Sequence, residues 1–141
     1  MSIHVPRDPE FAARIRENFA QQAFMATLGA RLVRVEPGEV DIAISFRDDL
    51  TQQNGFLHAG AITSVIDSAC GYAAFSLMEA GSNVLSVEFK VNMLAPAVGT
   101  EFLATGKVIR SGRTITVCSG ELRAGETLVS IMQATMMCVR R

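Results

Sequence analysis

Apolar positions change their period several times along the chain, and each change marks an element. Phe11, Ile15 and Phe19 recur every fourth residue, with Arg14, Arg16 and Glu17 elsewhere around the turn, which predicts an amphipathic helix. Asp8, Pro9 and Glu10 precede it and read as its start, with Asp8 as the N-cap. A second short helical piece, about 21–28, stops at Gly29. Residues 31–36 then lead through Pro37-Gly38 into an alternation of Val40, Ile42, Ile44 and Phe46, the pattern of a hairpin. Residues 47–57 are polar and irregular and predict a loop. From about 58 to 80 nearly every position is apolar, up to Gly81, which predicts a long helix wrapped by a sheet or by a partner subunit. Four strands follow, near 84–94, 101–110, 114–123 and 128–139, divided by Pro96/Gly99, Ser111-Gly112 and Ala124-Gly125.

This order predicts an α+β domain, one long helix laid across a mainly antiparallel sheet of five to six strands. At 141 residues there is room for one domain, with a helical segment over 1–28 leading into the sheet-and-helix unit of 29–141. One helix covers one face of such a sheet, so the other face and the edges call for a second subunit.

Composition narrows the function. An apolar share of 49% against 19% charged excludes a disordered chain and leaves apolar surface for subunit association. Thirteen basic against fourteen acidic residues leave no basic field for nucleic acid or an anionic membrane. Cys70, Cys118 and Cys138 are scattered, so neither a disulfide framework nor a metal site is expected. Residues 59–78 have the length of a membrane span with Asp67 as their one charge. Thr63, Ser64, Ser68 and Ser76 and the lack of flanking basic residues favour a buried helix instead. No apolar signal segment opens the chain, and a cytoplasmic protein is expected. His4 falls in a tail expected to be mobile and without a role.

Candidate chemistry gathers where the loop meets the long helix. His58-Ala59-Gly60 puts small residues at the helix start, where unpaired N–H groups and the dipole suit a developing negative charge. Asp67, nine residues after His58, is a carboxylate in an apolar helix and a candidate base or nucleophile. Eight residues of helix separate Ala59 from Asp67, roughly 12 Å at 1.5 Å per residue. One helix therefore does not present both groups to one carbonyl, whereas antiparallel helices from two subunits do. A Cys70/His58 nucleophilic pair ranks lower, since Cys70 lies within the apolar helix. Met132, Met136 and Met137 are expected as core, interface filler or an adaptable acyl pocket.

Gly55, His58, Ala59 and Gly60, followed by Asp67, resemble the G-x-x-H-[GA]-G motif and acid of the PaaI-type hotdog-fold acyl-CoA thioesterases, over about residues 25–140. The resemblance implies a hotdog fold, a homodimer or homotetramer, no cofactor or metal, and hydrolysis of a small-to-medium acyl-CoA or aroyl-CoA. It assigns Asp67 as the catalytic carboxylate, the Ala59 N–H as the donor to the carbonyl, and His58 and Gly60 as support for that turn. It also places Gln52 and Ser86 near the thioester or attacking water, and Asn54, Gly55, Arg110, Gly112 and Arg113 along the substrate and its phosphates. Two positions depart from the family. Ala59 replaces the usual second glycine, and Gly71 stands where some members carry a hydroxyl one turn after the acid. A non-catalytic acyl-CoA sensor or carrier is the main alternative. A dehydratase of 3-hydroxyacyl thioesters, whose His and acid lie in other motifs, is a third.

Overall fold

The computed structural model describes residues 3–140. Helices α1 (Phe11–Gln21) and α2 (Ala23–Leu28) lead into strands β1 (Arg31–Glu36) and β2 (Glu39–Ser45). Helix α3 (Ala59–Phe75) follows, then β3 (Ser82–Met93), β4 (Glu101–Ser111), β5 (Ile115–Ala124) and β6 (Thr127–Arg140). The six strands form one sheet in the order β1-β2-β4-β5-β6-β3, antiparallel at every pairing. Strand alternation creates the core. Phe102, Ala104 and Val108 of β4 and Cys118 and Leu122 of β5 point at α3 and are buried, while their neighbours face outward.

Two glycines set how deeply α3 lies on this sheet. Gly106 and Gly120 are cross-strand partners beneath the middle of the helix. A β-carbon on Gly106 would lie 2.4 Å from the Ala69 carbonyl, and one on Gly120 would lie 2.4 Å from Ile66 Cγ2. The missing side chains make a saddle into which the helix backbone settles.

The long helix is shorter than its apolar run predicts. It stops at Phe75, and 76–80 form turns. Arg14 of α1 donates to the carbonyls of Phe75, Met78 and Glu79, and its guanidinium stacks over the Phe75 ring. Ser76 Oγ donates to Ala73 O and accepts from Gly38 N–H. These bonds replace those of a further helical turn. A cation at the negative end of the dipole adds to the hold.

Two other expectations are corrected near the N-terminus. Asp8 is not the cap of α1, which begins at Phe11. Asp8 accepts from the N–H groups of Glu10 and Phe11 in the preceding turn and pairs with Arg14. His4 does not hang in a loose tail, because its ring packs so tightly on Gly38 that a β-carbon there would lie 2.4 Å from a ring carbon.

Candidate active site

The loop before α3 is a pinned turn rather than an irregular segment. Gln52 N–H donates to Phe56 O, Gly55 N–H donates to Gln52 O, and His58 N–H donates to Leu50 O. The Gln52 side-chain carbonyl accepts from the Asn54 N–H. His58, extended at φ −64° and ψ 140°, is the N-cap, and its Nδ1 accepts from the Gly60 N–H at 2.8 Å. A ring nitrogen that accepts carries no proton, so with Nδ1 accepting, the ring hydrogen of His58 is on Nε2. His58 thus serves as a cap. The N–H groups of Ala61 and Ile62 donate to His58 O. Among the described residues, the exposed Ala59 N–H is left without an acceptor. It is the free donor at the positive end of the helix. A cavity of about 500 Å³ opens beside it, lined by Gln52, His58 and Ala59 with Phe56, Ile62 and Leu94.

Asp67 lies farther along the helix in separate surroundings. Thr63, Ser64, Asp67 and Ser68 are half-buried, so α3 shows a polar stripe rather than an apolar surface all round. Ser86 Oγ donates to Asp67 Oδ1 at 2.7 Å. A bulge between Ser86 and Glu88 aims it there. Ser86 and Phe89 are three residues apart, yet they pair with Met136 and Ala134, two apart and both buried beneath the helix. Desolvation raises the carboxyl pKa above its ordinary value, and the Ser86 hydrogen bond opposes it more weakly. The result is a carboxylate more basic than a solvated one, with no hydrogen bond to Oδ2 among the described residues. A cavity of about 180 Å³ adjoins it.

One chain therefore carries two separate candidate sites. Gln52, His58 and Ala59 line one cavity, and Asp67 and Ser86 line the other. Asn54 and Gly55 are exposed in the turn and line neither. Arg110, Gly112 and Arg113 are exposed at the β4–β5 hairpin, outside both cavities. Gly112 has its own reason there, since a β-carbon would lie 2.7 Å from Ile115 O. Cys70 is fully buried, its thiol pushed far up by desolvation, and it lies roughly 18 Å along the helix from His58. The Cys70/His58 pair is thereby excluded. Cys118 is likewise pushed up to about 12. Met132 and Met136 are core residues. Among the described residues there is no group of three His, Cys, Asp or Glu placed to hold a metal, and no helix long and apolar enough to cross a membrane. A further hollow of about 520 Å³, around Lys90, Lys107 and Gln133, shares no lining residue with either of these cavities.

Asn18, Gln22 and Tyr72, beside Asp67, are not marked by any sequence motif, because Asn18 of α1 and Gln22 at its end meet Tyr72 of α3 only through the fold. Gly106 and Gly120 do carry a signal. Glycine inside a strand indicates close backbone approach.

One antiparallel six-stranded sheet packed on one long helix is the hotdog fold. Residues 54–131 match the thioesterase superfamily. The chain belongs to that superfamily, has its hotdog fold, and is a thioester hydrolase. A thioesterase family protein from Silicibacter pomeroyi is 48% identical and superposes with a TM-score of 0.90 over 93% of this chain and 99% of that one. Acyl-coenzyme A thioesterase 13 of Homo sapiens is 27% identical over 92 residues, covering 64% of this chain and 65% of that protein. The PaaI protein from the phenylacetic acid degradation operon of E. coli, at 17% identity, shares the fold with a TM-score of 0.85 over 92% of this chain and 94% of that one.

Proposed function

We propose that the protein hydrolyses a small-to-medium acyl-CoA or aroyl-CoA in a site built from two copies of the chain, with Asp67 from one and the Ala59 N–H from the other. The observation that supports this reading is the separation of the free Ala59 N–H from Asp67 along one helix, about 12 Å. The free edge of the sheet supports it. β3 is an edge strand, and its Leu85 and Val87 are 57% and 52% exposed. An uncovered apolar edge invites pairing. Antiparallel pairing of two β3 edges is an isologous contact that brings the polar stripes of two α3 helices side by side in opposite directions.

In this site Asp67 Oδ2 takes a proton from a water that attacks the thioester carbonyl carbon. The Ala59 N–H of the other copy stabilises the resulting oxyanion. Collapse breaks the carbon–sulfur bond, and the thiolate leaves with the proton held on Asp67. Ser86 holds the other carboxylate oxygen in place. Gln52, beside the amide half-site, orients the attacking water or thioester. Arg110 and Arg113, on an exposed hairpin, suit the phosphates of CoA.

The test is a hydrolysis screen across aliphatic and aromatic acyl-CoAs that reads free thiol. Wild-type protein should release thiol, and Asp67→Asn should lower kcat by about 10³-fold or more while folding normally. Burial holds the Asp67 pKa up, so its ionisation removes stability as pH rises through that pKa. Asp67→Asn should therefore melt at or above wild type at neutral pH, a difference that vanishes below 3.8, the ordinary aspartate value. Tight acyl-CoA binding without thiol release would favour a sensor or carrier instead.

A further inference from the structure

The cavity beside Asp67 has a back wall that the hydrolysis above does not use. Ser68 Oγ donates to Gln22 Oε1 at 3.2 Å, Gln22 Nε2 donates to Tyr72 Oη at 2.8 Å, and Tyr72 Oη donates to Asn18 Oδ1 at 2.9 Å. Each hydroxyl has one hydrogen and uses it within this chain of bonds. The hydrogens left over are on nitrogen: the second on Gln22 Nε2 and both on Asn18 Nδ2, which among the described residues meet no acceptor. Apart from Val84 and Gly71, every residue lining the cavity carries a polar group. The wall is a surface of amide donors.

Size limits what fits. The cavity is about 180 Å³. A dry protein cavity of roughly 150 Å³ holds one benzene ring. Gly71 contributes to this room. A glycine inside a helix costs about 1 kcal/mol relative to alanine, yet neither a positive φ nor a close neighbour requires it, and a β-carbon there would meet nothing within 4 Å.

The two arms of a thioester leave the carbonyl in opposite directions, and the CoA arm must reach solvent. The amide-end cavity has a rim of exposed residues, Gln53, Phe56, Met93 and Leu94. The carboxylate-end cavity is backed by half-buried Asn18 and Gln22 and buried Tyr72 and Gly71. The closed end suits the acyl arm. Building on the thioesterase reading, we propose that Asn18 and Gln22 form an acyl subsite for a short or single-ring acyl group bearing a hydroxyl or carbonyl oxygen beyond the thioester, with Tyr72 as the residue that positions both amides.

Matched pairs test this: 3-hydroxybutyryl-CoA against butyryl-CoA, and hydroxybenzoyl-CoA against benzoyl-CoA. Wild type should favour the oxygenated member of at least one pair by about tenfold in kcat/KM, the worth of one well-made hydrogen bond. Asn18→Leu should bring that ratio to within about twofold. Gln22→Met, which removes the other donor at similar volume, should move it the same way and serves if Asn18→Leu does not fold. Gly71→Val should slow benzoyl-CoA more than acetyl-CoA with the oligomeric mass unchanged. No preference in wild type, or a preference that survives both amide substitutions, overturns the inference. So does an equal loss on every acyl-CoA, which would put Asn18 against the CoA arm. Gly71→Val dissociating the oligomer with acyl preference unchanged would assign the glycine to a subunit contact and overturn the size limit. If Asp67→Asn hydrolyses every ester as fast as wild type, the thioesterase reading itself fails. If Asp67 is required and the ratios ignore the amides, the subsite alone fails.

Discussion

The start and the middle of α3 are held in opposite ways. His58, Ala59 and Gly60 are exposed, fastened by backbone bonds and one ring nitrogen. Ile66, Ala69 and Cys70 are fully buried on the Gly106/Gly120 saddle, and Arg14 grips the carbonyls at the far end. Under the proposed mechanism the contrast follows from what each group does. A backbone amide has no proton equilibrium near neutral pH and takes its strength from its place on the helix, so it tolerates solvent. Partial desolvation makes a carboxylate a better base, and the middle of the helix, pressed against the sheet, supplies it.

Substitutions at each end should separate the two. The largest effect in this comparison is expected from Ala59→Pro. Proline removes the N–H and fits the first helical position, and the extended His58 before it suits that bond. The variant should lose about 10²–10³ in kcat with almost no change in Tm. A Tm collapse would show that this end is not independent of the rest. Gly106→Ala acts on the other end. Its β-carbon meets helix backbone, so unfolding in urea should show a loss of about 1–3 kcal/mol, with activity falling as Asp67 is displaced. Full stability would mean that the saddle does not set the helix depth. The smallest change is Ser86→Ala. The Ser86 hydrogen bond lowers the Asp67 pKa, so its loss should move the acid limb of kcat/KM to higher pH with a fewfold change at the plateau. An unmoved limb would assign that limb to another group.

Much of this contrast is readable in the sequence, and its limits are physical. Asp67 and the His58-Ala59-Gly60 junction stand out because a charge in an apolar run and small residues at a helix start are local patterns. The strand alternation of β4 and β5 is equally local. The early end of α3 is not, because the apolar run continues to Met78 and it is Arg14, sixty-one residues before Phe75, that takes the carbonyls. The Asn18–Tyr72–Gln22 wall is hidden for the same reason, since polar residues on an amphipathic helix look like a solvated face until the fold brings α1 against α3.

The central claim is that Asp67 and the Ala59 N–H serve the same carbonyl from two different copies, and subunit mixing tests it most directly. Asp67→Asn and Ala59→Pro, each almost inactive alone, are unfolded together and refolded as a mixture. Random pairing makes half of the dimers mixed, each with one site intact and one doubly disabled, so activity should return to about a quarter of wild type. A mixture no more active than the two variants measured separately would contradict the account and place both groups in a site within one chain.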